Sequence, residues 1–187
     1  IFIDKNEKTK ILRIYFDGNK ALSARALKKA MKKTNEKFSF YNDWKSSILE
    51  MFSTKKFTTE EYENDKKNII SKYNEHGYRD AVLLMDSVVN FNEKKVDIFL
   101  KVDEGQQYFW KDIRFVGNTK YSTDYLSAVL GMKPGEVYNQ KKLDERLTSD
   151  DDAVSNVYFN DGYLFFNADP VETDVQNDSI ALEIRIT

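Results

Sequence analysis

The sequence predicts an α+β fold of two tandem β-α-α-β-β modules, and three observations carry that prediction. An alternating strand ending in a glycine-asparagine turn occurs twice: Ile14-Tyr15-Phe16-Asp17-Gly18-Asn19 returns as Ile113-Arg114-Phe115-Val116-Gly117-Asn118, 99 residues later. A Tyr-x-x-x-Gly-Tyr pattern also occurs twice, from Tyr73 to Tyr78 and from Tyr158 to Tyr163, 85 residues apart. Around these marks, apolar residues first recur at helical spacing and then at every second position, so each repeat passes from helix to strand.

In the first module, Leu12, Ile14 and Phe16 alternate with Arg13 and Tyr15, the period of a half-buried strand. Gly18-Asn19 turns the chain, and Ser23 is placed to cap a helix carrying Leu27, Ala30 and Met31. A second helix is expected at about 58–75. Thr58 and Glu61 form a capping box, Tyr62, Ile69, Ile70 and Tyr73 make the apolar stripe, and Gly77 ends it. Residues 79–90 and 95–103 then read as an antiparallel hairpin. Val96, Ile98, Leu100 and Val102 lie on one face of its second strand, with Asp97, Phe99 and Lys101 on the other.

The second module repeats this order through Ser122, Leu126 and the closing alternation Ile180, Leu182, Ile184 and Ile186. Leu143 to Gly162 spans 19 positions where Tyr62 to Gly77 spans 15, which predicts one additional turn of α-helix with its stripe in phase. Asp150-Asp151-Asp152 then falls on a solvated face of that helix, since the run lacks the ligand spacing and glycine of an EF-hand. The predicted domains are 1–8, the tail strand of a preceding module; 9–105, with an aromatic insertion at about 38–57; and 106–187. The sequence thus reads as two whole modules from the interior of an array.

Composition narrows the function. Twenty-nine basic against 31 acidic residues give a net charge of -2, so there is no excess of cations to neutralise a nucleic-acid backbone. Lys28, Lys29, Lys32 and Lys33 form a basic helical face that reads as solvation. Cysteine is absent and His76 is the single histidine, which removes thiol nucleophiles and thiolate metal sites and leaves no second histidine for a zinc site. His76, beside Gly77, is placed to interact with the last carbonyls of its helix. The KH module shares the β-α-α-β order, but its Gly-x-x-Gly clamp does not occur. Asp103 and Glu104 are adjacent on a strand and point to opposite faces, so they do not make a hydrolytic acid pair. No cofactor or metal is implied, and no enzyme is expected. The N-terminal Ile1-Phe2-Ile3-Asp4 lacks the pattern of a signal peptide.

Taken together, the Ile-x-Phe-x-Gly-Asn opening, the Tyr-x-x-x-Gly-Tyr before the second strand and the closing Val102-Asp103-Glu104-Gly105 resemble the POTRA (polypeptide-transport-associated) domain. The resemblance covers essentially the whole chain and is nearest to the third and fourth domains of BamA-type arrays. It implies a three-stranded mixed sheet packed against two helices in each module. It also implies a periplasmic, non-enzymatic scaffold of Gram-negative outer-membrane β-barrel assembly. The implied partners are unfolded outer-membrane proteins, accessory lipoproteins and the chain's own C-terminal membrane barrel, with no nucleic acid. A POTRA module of a secretion or autotransporter-assembly pore is the alternative within the same family.

The binding mode implied by the resemblance is β-augmentation along the second strand, placing the candidate edge at Asp80, Ala81, Val82, Leu83, Leu84, Met85, Asp86 and Ser87. Consecutive apolar residues there put hydrophobic side chains on both faces of one strand, so the outward set serves either capture or packing. Leu164-Phe165-Phe166-Asn167 is the weaker counterpart in the second module. Phe38, Phe40, Tyr41, Trp44 and Phe52 form a candidate partner platform or, as the plainer reading, close a core. Glu104, Gly105, Tyr108 and Trp110 are placed at the hinge between the modules, with Tyr108 and Trp110 leading into the next first strand.

Overall fold

The computed structural model describes residues 10–34, 58–93 and 95–187. The tail strand expected at 1–8 and the insertion residues Phe38, Phe40, Tyr41, Trp44 and Phe52 lie outside the described residues. The chain divides into two compact units, one of residues 1–72 with 81–104 and one of residues 73–80 with 105–187.

In the first unit, strand β1 (Lys10–Asp17) precedes helix α1 (Ala24–Ala30), and helix α2 (Thr59–Asn74) leads to strands β2 (Val82–Asn92) and β3 (Lys95–Asp103). The sheet order is β1-β3-β2, with β3 parallel to β1 and antiparallel to β2. This is the mixed three-stranded sheet expected. Both helix starts are capped by hydroxyls: Ser23 Oγ accepts from the Ala26 N–H at 3.3 Å and Thr58 Oγ1 from the Glu61 N–H at 3.2 Å. Ile14, Leu27, Met31, Ile69 and the alternate residues Val96, Ile98, Leu100 and Val102 of β3 are buried, so the central strand turns one face into the core. Asp97 points to the other face and still loses most of its exposure, because the Arg13 guanidinium covers it at 3.2 Å.

A buried acid joins the helical layer in a way no sequence pattern announced. Asp65 of α2 is fully buried; its Oδ2 accepts from the backbone N–H groups of Lys33 at 2.9 Å and Thr34 at 2.5 Å, and from the Thr34 hydroxyl at 2.7 Å. Those donors lie just past the C-terminal end of α1, in chain that no longer pairs its N–H groups within the helix. Asp65→Ala strands the buried donors and is expected to cost about 3 kcal/mol in urea unfolding, whereas Asp65→Asn keeps an acceptor and costs less.

The second unit repeats the plan with strand β4 (Phe109–Val116), helix α3 (Thr123–Leu130), two short helices α4 (Gln140–Asp144) and α5 (Val154–Asn160), and strands β5 (Ala168–Gln176) and β6 (Ser179–Ile186). Its sheet order is β4-β6-β5, again parallel then antiparallel. Trp110, Leu126, Leu130, Leu143, Leu147, Tyr158, Ile180, Leu182 and Ile184 build its core.

Two expectations are corrected here. The surplus of four residues in the second module is not an extra α-turn. Residues Glu145–Ser149 form a π turn in which the Asp150 N–H donates to the Glu145 carbonyl at 2.9 Å, and the chain breaks before α5. The cause is Arg146. Its Nε donates to the Leu130 carbonyl at 3.1 Å and its guanidinium also bonds the Val129 carbonyl, while Nη1 holds Asp150 at 3.2 Å and Asp152 at 2.6 Å. The aspartate run is therefore a turn gathered around one cation, not a solvated helix face. Leu143, Leu147, Val154 and Tyr158 nevertheless all remain buried. Insertions of this kind are absorbed without loss of the apolar face. The second correction concerns 164–167, which precede β5: Asn167 exchanges both backbone hydrogen bonds with Thr187, at 2.9 and 3.0 Å, but Leu164, Phe165 and Phe166 lie outside the ladder.

Candidate functional site: the β2 edge

Strand β2 is an edge of its sheet as described, bonded to β3 on one side. Its entry is set by Gly77, whose φ of +91° ends the helical run, after which the Tyr78 N–H returns to the Tyr73 carbonyl at 3.0 Å. Pairing then begins with Val82 opposite Asp103. The hairpin expected from Arg79 thus starts three residues later, and Asp80 and Ala81 of the candidate edge precede the strand. The residues before the strand are held elsewhere. The Arg79 guanidinium is engaged in a forked pair with Glu172 at 3.0 and 2.5 Å, and Asp80 accepts the Tyr108 hydroxyl at 2.6 Å, all within the second compact unit.

Along β2 the register divides the side chains cleanly. Asp86, Val88 and Asn90 oppose Leu100, Ile98 and Val96, on the helix-covered face, while Met85, Ser87 and Val89 oppose Lys101, Phe99 and Asp97 on the open face. Two register shifts interrupt the ladder, between Leu83 and Met85 and between Asn90 and Asn92. Leu84 and Phe91 sit at these shifts and are 58% and 56% exposed. Val82, Met85 and Val89 are about half exposed as well. On the neighbouring strands Tyr15 and Phe99 stack at 4.8 Å, and Arg13 lies 5.4 Å from the centre of the Phe91 ring. The open face therefore carries an apolar stripe with a cation at one end.

The helix-covered side of the edge is held electrostatically. Lys66 of α2 bonds Asp86 at 2.9 Å and Glu63 at 2.8 Å. Burial lowers its affinity for the proton, but the two carboxylates outweigh that and raise it above the ordinary lysine value. Tyr62 beside them is pushed above the usual phenol range by burial first and by Asp86 and Glu63 second. Both groups keep their ordinary charge at neutral pH, and Lys66 ties the edge to its helix.

The corresponding edge of the second unit, β5, is chemically different. Pro170 lies within it opposite Ile184, while Glu172 is paired with Arg79 and Asp174 with Lys111 at 3.0 Å. Proline has no N–H to offer, and a prolyl residue inside a sheet occupies an edge for that reason. Such a strand is a poor template for a further strand.

The four residues expected at the hinge divide between roles. Glu104 is buried, and its two carboxylate oxygens accept from the Ala21 N–H at 2.9 and 3.0 Å, closing the turn after β1. Gly105 takes φ +65°. The Tyr108 N–H donates to the Gly77 carbonyl at 2.8 Å, and Trp110, only 1% exposed, packs in the core of the second unit with its ring 4.9 Å from Tyr138. Sequence reasoning missed Asp65, the Arg79–Glu172 fork and Pro170; only the proline carried a local signal.

Comparison with known proteins now decides the family. The POTRA family model, described as a surface antigen variable number repeat, matches residues 9–105 and again 108–187. The chain belongs to the POTRA family. Among curated POTRA relatives, a candidate outer membrane protein assembly factor of Treponema pallidum (strain Nichols) is 29% identical over 168 residues, 86% of this chain and 18% of that protein. The outer membrane protein assembly factor BamA of Neisseria meningitidis serogroup B is 26% identical over 145 residues, 76% of this chain and 17% of that protein. The chain thus spans less than a fifth of the length of these relatives. Among solved structures, Haemophilus influenzae BamA POTRA3-5 superposes with a TM-score of 0.62 at 20% identity, covering 96% of this chain and 66% of that one. Haemophilus ducreyi BamA lacking POTRA domains 1-3 gives 0.61 at 17% identity, covering 96% and 29%. At these identities the structures attest the POTRA fold.

Proposed function

We propose that the chain is a periplasmic scaffold of outer-membrane β-barrel assembly that captures extended segments of unfolded outer-membrane proteins along β2. Family membership and the names of the curated relatives support the setting. The observation that carries the capture is the β2 edge itself, a proline-free strand whose apolar side chains Val82, Leu84, Met85, Val89 and Phe91 are exposed.

Between the two register shifts, Met85 to Asn90 run in regular antiparallel pairing with β3. Alternate residues of such a stretch turn their N–H and C=O groups away from the partner strand, so an added strand finds about six backbone groups. At roughly 0.5–1.5 kcal/mol net for each bond, the total of about 3–9 kcal/mol is no more than comparable to the entropic cost of association, so the apolar side chains must add to it. Capture is then weak and reversible, which suits transfer to a membrane barrel. Specificity is modest, because backbone bonds ignore side-chain identity and the open-face stripe asks only for alternating apolar residues. Accessory lipoproteins and the chain's own membrane barrel complete the proposed assembly.

The test uses a peptide with the alternating pattern of a barrel strand and a copy N-methylated at every second residue. The parent is expected to bind with a Kd in the high micromolar range or weaker, and the N-methylated copy, with side chains intact, about tenfold more weakly. Equal binding of the two would show that the backbone edge is not the contact.

A further inference from the structure

The open face of the first repeat's sheet is ordered in three rows that run across its strands. Tyr15 and Phe99 form the middle row with Ser87; their rings stack at 4.8 Å, yet each stays more than a third exposed, at 40% and 38%. On one side Arg13 lies beside Asp97, ion-paired at 3.2 Å, with Val89 next in line. On the other Asp17 lies beside Lys101, ion-paired at 3.7 Å, with Met85 next in line. The flanking rows thus carry the same charges in opposite order: β1 contributes a cation to one and an anion to the other, and β3 the reverse.

The fold does not require this pattern. In the second repeat the register places Arg114 and Glu183 where Tyr15 and Phe99 stand, with Asp112 beside Ala181 and Val116 beside Arg185. That sheet covers its core with its other face just as well, so the aromatic row of the first repeat answers no need of the sheet itself. Two stacked, exposed rings between two ion-paired rows have the anatomy of a contact surface, apolar at the centre and polar at the rim.

We propose that this face pairs with the same face of a second copy of the chain. A two-fold axis laid along the Tyr15–Phe99 row, between the two faces, turns one flanking row onto the other. Arg13 then meets the partner's Asp17, Asp97 meets the partner's Lys101, and Val89 meets the partner's Met85, while the rings of the two copies close over one another. Each of these cross pairs is of opposite charge or is apolar on both sides. The same operation on the second repeat sets Asp112 against Val116 and Ala181 against Arg185, so that face has no such match with itself. Facing sheets keep their strands within about 30° of each other, which holds three rows in step over so short a face. The contact is small. Strands about 4.8 Å apart, rising about 3.4 Å per residue from Arg13 to Asp17, give a face of roughly 10 by 14 Å, well short of the ~800 Å² a side of a stable complex. Association is therefore weak, with a Kd on the order of a millimolar, and it leaves the backbone edge of β2 free.

The inference is independent of the β2 reading, since it uses side chains of the sheet face and not the strand edge. Sedimentation velocity and NMR diffusion of the chain up to about 2 mM are expected to show a monomer–dimer equilibrium that weakens about fivefold as salt rises from about 0.05 to about 0.5 M, because exposed charge pairs are screened. Asp17→Lys and Arg13→Glu each set like charges against each other across the axis, and each is expected to be monomeric alone. An equimolar mixture of the two restores association, since each variant supplies the charge that the other lacks. Tyr15→Arg combined with Phe99→Glu, the pair that the second repeat already carries, keeps the fold and abolishes pairing. A chain that stays monomeric at about 2 mM, association unchanged in that double variant, or no recovery on mixing would overturn the proposal. So would loss of association in Leu84→Pro, which obstructs the β2 edge alone; dimers retained in that variant beside lost peptide capture separate the two surfaces.

Discussion

Alanine at Gly18 is expected to remove about 4 kcal/mol of stability, the largest effect of any single methyl group in the first repeat. The residue has φ +85°, a region that costs an L-residue about 1–2 kcal/mol, and its new Cβ would lie 2.1 Å from the Val102 carbonyl oxygen. That oxygen belongs to the central strand and cannot withdraw without breaking the ladder to β2. The turn must lift instead, which pulls β1 and α1 from the core. Gly117→Ala repeats the collision with the Ile186 carbonyl at 2.5 Å and is expected to cost nearly as much. Gly162→Ala supplies the control: its φ is +90°, yet its Cβ meets nothing within 4 Å, so only the conformational cost of about 1–2 kcal/mol applies. Urea unfolding checks all three. Equal losses at Gly18 and Gly162 would mean that the close approach to the strand carbonyl is not what demands glycine.

Proline at Leu84 is expected to weaken capture of strand-like peptides about tenfold while the domain stays folded. Leu84 sits where the register between β2 and β3 shifts, and proline is tolerated at such irregularities because no regular ladder bond is lost. The ring then obstructs an incoming strand and removes the exposed leucine. Val82→Pro acts at the first residue of the strand and is expected to have a smaller effect, since it leaves Met85 to Asn90 intact. Fluorescence anisotropy with a labelled peptide, beside a urea midpoint for each variant, separates loss of binding from loss of fold. Undiminished affinity in Leu84→Pro would place the contact elsewhere.

The residues that announced the fold are those whose role is set locally. Gly18-Asn19, Ser23 and Thr58 mark turns and helix starts through their own backbone and side-chain chemistry, and β3 shows its alternation because one face is core and the other open. Elements whose form depends on a distant partner were not readable in the same way. The π turn at Glu145–Ser149 follows from Arg146 reaching the end of α3, and the late start of β2 from Arg79 engaging Glu172, a residue 93 positions away. In the sequence Asp65 is one of several charged residues of the second helix. Its burial depends on where α1 ends, which helical periodicity does not encode. For the edge, the apolar run at Ala81 to Met85 pointed to the strand, but the extension of exposed apolar residues to Val89 and Phe91 came from the register of the sheet.

The two repeats present chemically different edges. Pro170 in β5 discourages an added strand, whereas β2 is proline-free. The most direct test of the account is therefore an NMR titration of the isotopically labelled chain with a barrel-strand peptide, comparing the amides of β2 with those of β5. The account predicts weakly saturating shifts concentrated from Val82 to Asn92, with β5 silent. Shifts confined to β5, or none on β2 at millimolar peptide, would contradict it.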